Sequence, residues 1–250
     1  MNDTLLRYWW LLALRAGMAI AFSLPSPPAA AQDPPDIPPY ATVSRKPDAM
    51  AIAQVGDAAE VARRMLREPR ARELLQQAKG IFIVPAFGRA ALGVGASVGA
   101  GLMVIRRADG AWSDPAFYNI GGLSVGAQIG AEAGAIALVL MNERAVNKFM
   151  QKNSFALSAA AGLTIVNWSN IAQGALGDGD VVAWAGTTGL YGSLVALGVS
   201  DIRYNRRLTD AYYHRSVLVA DVLVGKHANA QADALKQALA GEAASAPASP

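Results

Sequence analysis

Between residues 78 and 141 small and apolar positions alternate with a period of two. Gly93, Gly95, Ser97, Gly99 and Gly101 occupy every second position, with Leu92, Val94, Ala96, Val98, Ala100 and Leu102 between them. The device returns as Gly122, Ser124, Gly126, Gln128 and Gly130, interleaved with Leu123, Val125, Ala127, Ile129 and Ala131. Side chains of a strand point alternately to its two faces, so each segment predicts a strand with one bare face and one apolar face. Glycine weakens an ordinary strand, and a row of it implies close backbone approach or strong curvature. Gly95, Gly99, Gly126 and Gly130 are therefore expected to lie under closely approaching backbone or side chains.

Upstream the period changes to that of a helix. Ile52, Val55, Ala59, Ala62 and Leu66 form one stripe, with Asp48 at the N-cap position and Pro69 as the break. A second short helix carries Leu74, Leu75 and Ala78, and Ile81 to Val84 leads into the glycine strands. Arg106 to Gly110 reads as a hairpin turn with Asp109-Gly110 at its tip, and Pro115 precedes Phe117, Tyr118 and Ile120 as at a strand start. Ala135 to Leu140 predicts a buried strand, and Asn142 caps a helix over Glu143 to Met150.

The second half alternates more loosely. Ser154 to Ile165 again sets small residues against apolar ones, Gly177 to Asp180 makes a turn, and Val181–Trp184 and Leu190–Val199 read as strands. A helix spans Asn205 to Tyr213, Ser216 to Val224 is apolar without a clear period, and Ala228 to Leu239 carries a stripe of Ala232, Leu235 and Leu239. The fold class expected is α+β, with an antiparallel, strongly curved or barrel-like sheet flanked by helices.

The two ends differ from this body. Arg7, the apolar run Tyr8–Phe22 and the small-residue site Ala29-Ala30-Ala31 have the layout of a secretory signal peptide over 1–31. Residues 32–47 form a proline-rich linker, 48–240 the folded domain, and 241–250 an alanine-, serine- and proline-rich tail expected to be disordered. The chain has no cysteine, which removes disulfides, thiolate metal sites and a lipoprotein anchor together. A periplasmic, envelope-associated or secreted protein of a bacterium is expected.

Composition narrows the chemistry further. The formal net charge of +3 is too small for a nucleic-acid binder, which shows a clustered surplus. His214 and His227 lack the spacing of a zinc site, and Asp178 and Asp180 supply too few oxygens for a calcium loop. Glu132 and Glu143 stand alone, no nucleophile elbow is present, and the glycine rows do not end in a phosphate-loop signature. No catalytic residue, metal or cofactor is expected. One cluster stands out: Arg63, Arg64, Arg67, Arg70 and Arg72 on and after the first helix. It reads either as a solvated helix face or as a surface for anionic lipid headgroups.

Three motifs decide the family resemblance. Ala78-Lys79-Gly80 before an apolar strand and Pro85, the turn Gly110-Ala111-Trp112-Ser113-Asp114-Pro115, and the segment from Gly121-Gly122-Leu123-Ser124 to Ile129-Gly130 together resemble the SYLF domain. Gly189-Leu190-Tyr191-Gly192 and Tyr212-Tyr213 fall where that domain has related motifs, so the resemblance covers roughly 48–225. It implies a non-enzymatic phospholipid-binding domain; some eukaryotic members bind phosphoinositides, and a yeast branch binds actin filaments. Where a Ser-Arg-Ser-Lys-like run is usual, this chain has Trp184-Ala185-Gly186-Thr187-Thr188, so actin is not expected as a partner. The expectation is non-catalytic binding of an anionic phospholipid membrane surface through Arg63, Arg64, Arg67, Arg70, Arg72, Lys79 and Arg89. The alternative is a structural or protein-interaction module of the envelope without a lipid ligand.

The leader gives a first testable outcome. Mass spectrometry of the protein from an envelope fraction should find a chain beginning at Gln32, and a mature form that keeps Arg15 would refute the cleavage.

Overall fold

The computed structural model describes residues 46–151, 154–157, 165–167, 179–187 and 199–241, all within a compact unit that runs from Ser44 to Pro250. The leader, the linker up to residue 45, the alternation over 158–164, Asp178, the strand and motif expected over 188–198 and the tail after Gly241 lie outside those residues. The helices are α1 (Pro47–Leu66), α2 (Pro69–Gln77), α3 (Glu143–Gln151), α4 (Arg206–Tyr213), α5 (Val219–Leu223) and α6 (Asp233–Ala240). The strands are β1 (Gly80–Ile105), β2 (Ala116–Leu140), β3 (Ser154–Leu157), β4 (Ile165–Asn167), β5 (Val181–Ala185) and β6 (Val199–Tyr204).

α1 starts two residues earlier than the sequence pattern suggests. Lys46 holds the N-cap position without a side-chain cap, Pro47 opens the helix where a missing N–H costs nothing, and Asp48 sits in the first turn. There its carboxylate still faces the positive end of the helix. The buried face is Ala51, Val55, Ala58, Ala59, Val61, Ala62 and Met65, so Val55, Ala59 and Ala62 of the expected stripe lie on it, Leu66 is half-buried and Ile52 is left 39% exposed. The face is wider than the stripe because alanine's small side chain lets α1 lie close against β1, α4 and α6. Elsewhere the capping signals hold. Asn142 accepts from the Ala145 amide at 3.0 Å, and Asn205 accepts from the Leu208 amide at 3.0 Å.

The segments read as separate strands are parts of two very long ones. β1 and β2 form a single antiparallel hairpin, paired from Gly80 opposite Leu140 to Met103 opposite Ala116, with register shifts between Val84 and Phe87 and between Leu92 and Val94. Bulges of this kind bend a strand and raise its twist. The bend is large enough to bring β1 back onto itself. A Cβ added at Gly99 would lie 2.6 Å from Val84 Cγ1, and one at Gly101 would lie 2.6 Å from the Phe82 ring. Residues so far apart on a straight strand would be roughly 50 Å apart at ~3.3 Å per residue. The two ends of the curl are joined by the Arg106 amide, which donates to the Lys79 carbonyl at 2.8 Å.

β2 is the strand the sheet is built on. β1 occupies one edge; β6 pairs along Tyr118–Gly121 and β5 along Ile136–Leu140 on the other. β3 extends the sheet beyond β6, and β4 beyond β5, giving six strands among the described residues in an α+β fold. The pairing is antiparallel apart from β4 with β5, which run parallel. The sheet is curled rather than closed. Inside the curl Phe82 and Phe149 each meet Tyr118 edge to face and lie tilted against one another, and the Tyr118 hydroxyl donates to the Phe149 carbonyl at 3.0 Å. The expected stripe Ala232, Leu235 and Leu239 is buried. Asp114, 4% exposed, ties the C-terminal segment to the hairpin by accepting from the Asn229 amide and pairing with Lys236.

The close approach at Gly99 is as expected, and Gly101, not among the glycines named for it, shares it; the side chains around Gly126 and Gly130 lie outside what is described. Two substitutions separate a packed glycine from an open one. Gly101→Val places methyls into the Phe82 ring and should cost about 1–3 kcal/mol. Gly88→Ala, with nothing within 4 Å of the added Cβ, should stay within about 0.5 kcal/mol. Denaturant midpoints that are equal for the two variants would show that the curl carries no packing strain.

Candidate functional site

The break at Pro69 sets α2 at an angle to α1, and arginines from both helices meet at the corner. Arg63 and Arg67 are four residues apart and share a face of α1 and its C-cap; Arg72 comes from α2. Together with Arg106 from the end of β1 they line an open cleft of about 660 Å³. Its remaining wall is apolar, made by Leu66, Leu75 and Leu239, with Gln76 the one neutral polar side chain. Among the described residues no carboxylate lines it, and Glu60 reaches Arg63 from outside, as a largely exposed partner. Several guanidiniums around one opening repel each other, so the field in the cleft favours an anion.

The four arginines are not equivalent. Arg106 is spent on the fold: its Nε donates to the Ala78 carbonyl, one terminal nitrogen to the Leu75 carbonyl at 3.2 Å, and the other to the Gly110 carbonyl at 2.9 Å. It also stacks on the Trp112 ring, 4.4 Å from its centroid, and burial lowers its pKa from the usual guanidinium range. Leu75 and Ala78 lie at the C-terminal end of α2, where carbonyls lack helical partners, so a cation there satisfies both the bonds and the helix dipole. Arg72 gives one N–H to the Leu66 carbonyl at 2.9 Å. Arg67 is exposed and makes no side-chain hydrogen bond or ion pair among the described residues. Of the set, it has the most donors to offer a ligand.

The remaining expected site residues are scattered. Arg64 turns away from the cleft, lies 5.3 Å from the centroid of the buried Trp184 ring and packs against Gly186. Trp184 in turn donates to Glu68 at 3.3 Å, which fixes the α1–α2 corner on β5. Arg64 and Arg67 border a second, shallower opening with Asp57, Glu60, Pro85 and Ala86. Arg70 is exposed outside the cleft, and Lys79 is exposed next to the closing bond of the curl. Arg89 stands opposite Glu132 in the hairpin register. The structure therefore brings Arg63, Arg67 and Arg72 together and leaves the other four elsewhere. Arg106 was missed because its sequence context is a turn. The signal available was an arginine placed directly after a strand that must end beside a helix C-terminus.

No group of three or more His, Cys, Asp or Glu side chains among the described residues could hold a metal ion. Asp180, 2% exposed, accepts from Nε and one terminal nitrogen of Arg144 and from Asn142, which makes it a buried charge serving the junction of α3 and β5.

Residues 121–242 match a protein-family model described as Ysc84, Las17-binding protein actin regulator. An SH3 domain-containing protein of Schizosaccharomyces pombe is 39% identical over 93 residues, which is 36% of this chain and 21% of that protein. The SH3 domain-containing YSC84-like protein 1 of human and of Pongo abelii is 34% identical over 84 residues, 34% of this chain and 24% of theirs. The matched segment thus spans about a quarter or less of these relatives. No solved structure matches. The family description overturns one expectation: actin was set aside because cations are missing around Trp184–Thr188, whereas the model matched is named for actin regulation. That stretch cannot decide the partner, because Trp184 and Gly186 are committed to holding Arg64 and Glu68 in place.

Arg106 supplies the test of this geometry. A lysine cannot reach three carbonyls at once, so Arg106→Lys should lower stability by about 1–3 kcal/mol through the acceptors it leaves unpaired. An unchanged denaturant midpoint would show that water serves those carbonyls equally well.

Proposed function

The chain carries a domain of the Ysc84 (SYLF) family over residues 121–242, and on that premise we propose that it is a non-catalytic binding domain whose basic cleft docks on an anionic phospholipid membrane. The observation behind this reading is the convergence of Arg63, Arg67 and Arg72 beside an apolar wall, with no carboxylate lining the opening among the described residues. Guanidiniums pair with phosphate oxygens through two parallel N–H donors, and the leucines suit the glycerol and upper acyl region just below a headgroup. With the leader read over residues 1–31, the membrane would be that of a bacterial envelope.

A second reading follows from the family description, which names an actin regulator. The same cleft would then receive the acidic surface of a protein filament, through the same guanidiniums.

Sedimentation with anionic vesicles, neutral vesicles and actin filaments separates these readings. Changing Arg63, Arg67 and Arg72 together to glutamine should remove roughly 2–4 kcal/mol of binding to anionic vesicles, at ~1 kcal/mol per cation. Binding by the parent should weaken with salt, since screening shortens the field to ~8 Å at physiological ionic strength. Equal vesicle binding by parent and folded variant would move the site away from the cleft. Co-sedimentation with filaments alone would favour the protein partner.

A further inference from the structure

The curl leaves an unusual surface outside. Glycines 95, 99 and 101 are buried within it, whereas the residues between them, Ala96, Val98 and Ala100, are exposed. The larger side chains thus face out and the bare positions face in, the reverse of a half-buried strand. Val98 is 70% exposed, the highest value among the large hydrophobic residues described. Cross-strand partners share a face, so Asn119, opposite Ala100, stands on it, as Ala131 does beside Ala90 further along. Ala86, Gly88 and Ala133 complete a shallow, mainly apolar depression of about 700 Å³ with Val98, Ala100 and Asn119. None of the residues lining it carries a charge.

What lies beside this face identifies its occupant. Ala86 also borders the opening lined by Asp57, Glu60, Arg64 and Arg67, so the uncharged face runs into the corner of α1 from which the exposed Arg67 projects. An apolar surface with an exposed guanidinium at its margin suits a lipid interface. The cations meet phosphates while the apolar side chains enter the boundary between headgroups and acyl chains. A water-facing role would place charged residues on an exposed hairpin of this length, as edges and outer faces of sheets ordinarily carry them.

We infer that the outer face of the β1–β2 hairpin around Val98 inserts into the interfacial region of an anionic lipid bilayer while Arg67 and its neighbours contact the headgroups. The inference rests on the membrane reading of the cleft and adds a second contact that makes the attachment partly apolar. Charge alone gives a binding that salt removes; an inserted valine face gives a remainder that salt does not.

The absence of cysteine makes the test direct, because Val98→Cys carries a unique site for an environment-sensitive fluorophore. With phosphatidylglycerol-containing vesicles the label should shift to the blue and be quenched by lipids brominated on the acyl chain. A label at Ala108, on the charged turn between Arg107 and Asp109, should show neither effect. Val98→Asp, a change at an exposed position that leaves the fold intact, should weaken vesicle binding about tenfold, the share of one buried valine. A Val98 label that stays in water while the protein binds vesicles overturns the insertion and leaves the cleft reading standing. Loss of all vesicle binding by the parent overturns both. A shift that appears without lipid and grows with protein concentration would assign the face to a second copy of the chain, and also overturns the insertion.

Discussion

A strand that must turn back onto itself needs room on its inner face, and Gly99 and Gly101 provide it by carrying no side chain where Val84 and Phe82 press in. Much of the molecule follows from that contact. With the curl in place, the ends of β1 meet through the Arg106 amide and the Lys79 carbonyl, and the aromatic group Phe82, Tyr118 and Phe149 fills the interior. β2 can then offer its far edge to β5 and β6 in separate stretches. A flat hairpin of the same length would expose both faces and hold no core.

The cleft is a consequence of the same closure. Arg106 caps α2 and ends β1 at once, so the helix corner that bears Arg63, Arg67 and Arg72 stands where the strand returns. Trp184 and Glu68 hold the other side of that corner. The arginines of the cleft stay out of the core because Trp184, Glu68 and Arg106 carry the geometry. Arg67 makes no side-chain bond among the described residues, whereas Arg72 still gives one N–H to the Leu66 carbonyl.

How much of this was legible in the sequence depends on which signal each feature leaves. The hairpin turn at Asp109-Gly110, with Gly110 at φ 82°, the caps at Asn142 and Asn205 and the stripe of α6 leave local signals, and each was readable. The stripe of α1 was readable at Val55, Ala59 and Ala62 but not its full width, because Ala51 and Ala58 contribute little to a hydrophobic pattern and yet set how closely the helix packs. The strand count failed for a related reason. Pro85 and the glycine rows look like ends, but a bulge carries β1 past the proline without ending it. At the site, spacing alone placed five arginines in one run. It could not show that Pro69 turns the chain, sending Arg72 back toward Arg63 and Arg67 while Arg64 faces Trp184. Nor did alternation reveal which face of the glycine strands is the inside. Both faces are free of charge, and the choice is made by contacts many residues away.

The packing of α1 also fixes an order of events. It is the first described helix to leave the ribosome, yet it lies against α4 and α6, the latter ending at Ala240. At roughly 5–20 residues per second of synthesis, its alanine-lined stripe waits on the order of ten seconds or more for its partners. Until then the two long strands have no lid, and the contacts that would recruit one are among the most distant in the chain. The packing of α1 therefore cannot be completed until α6, the last described helix, has been made.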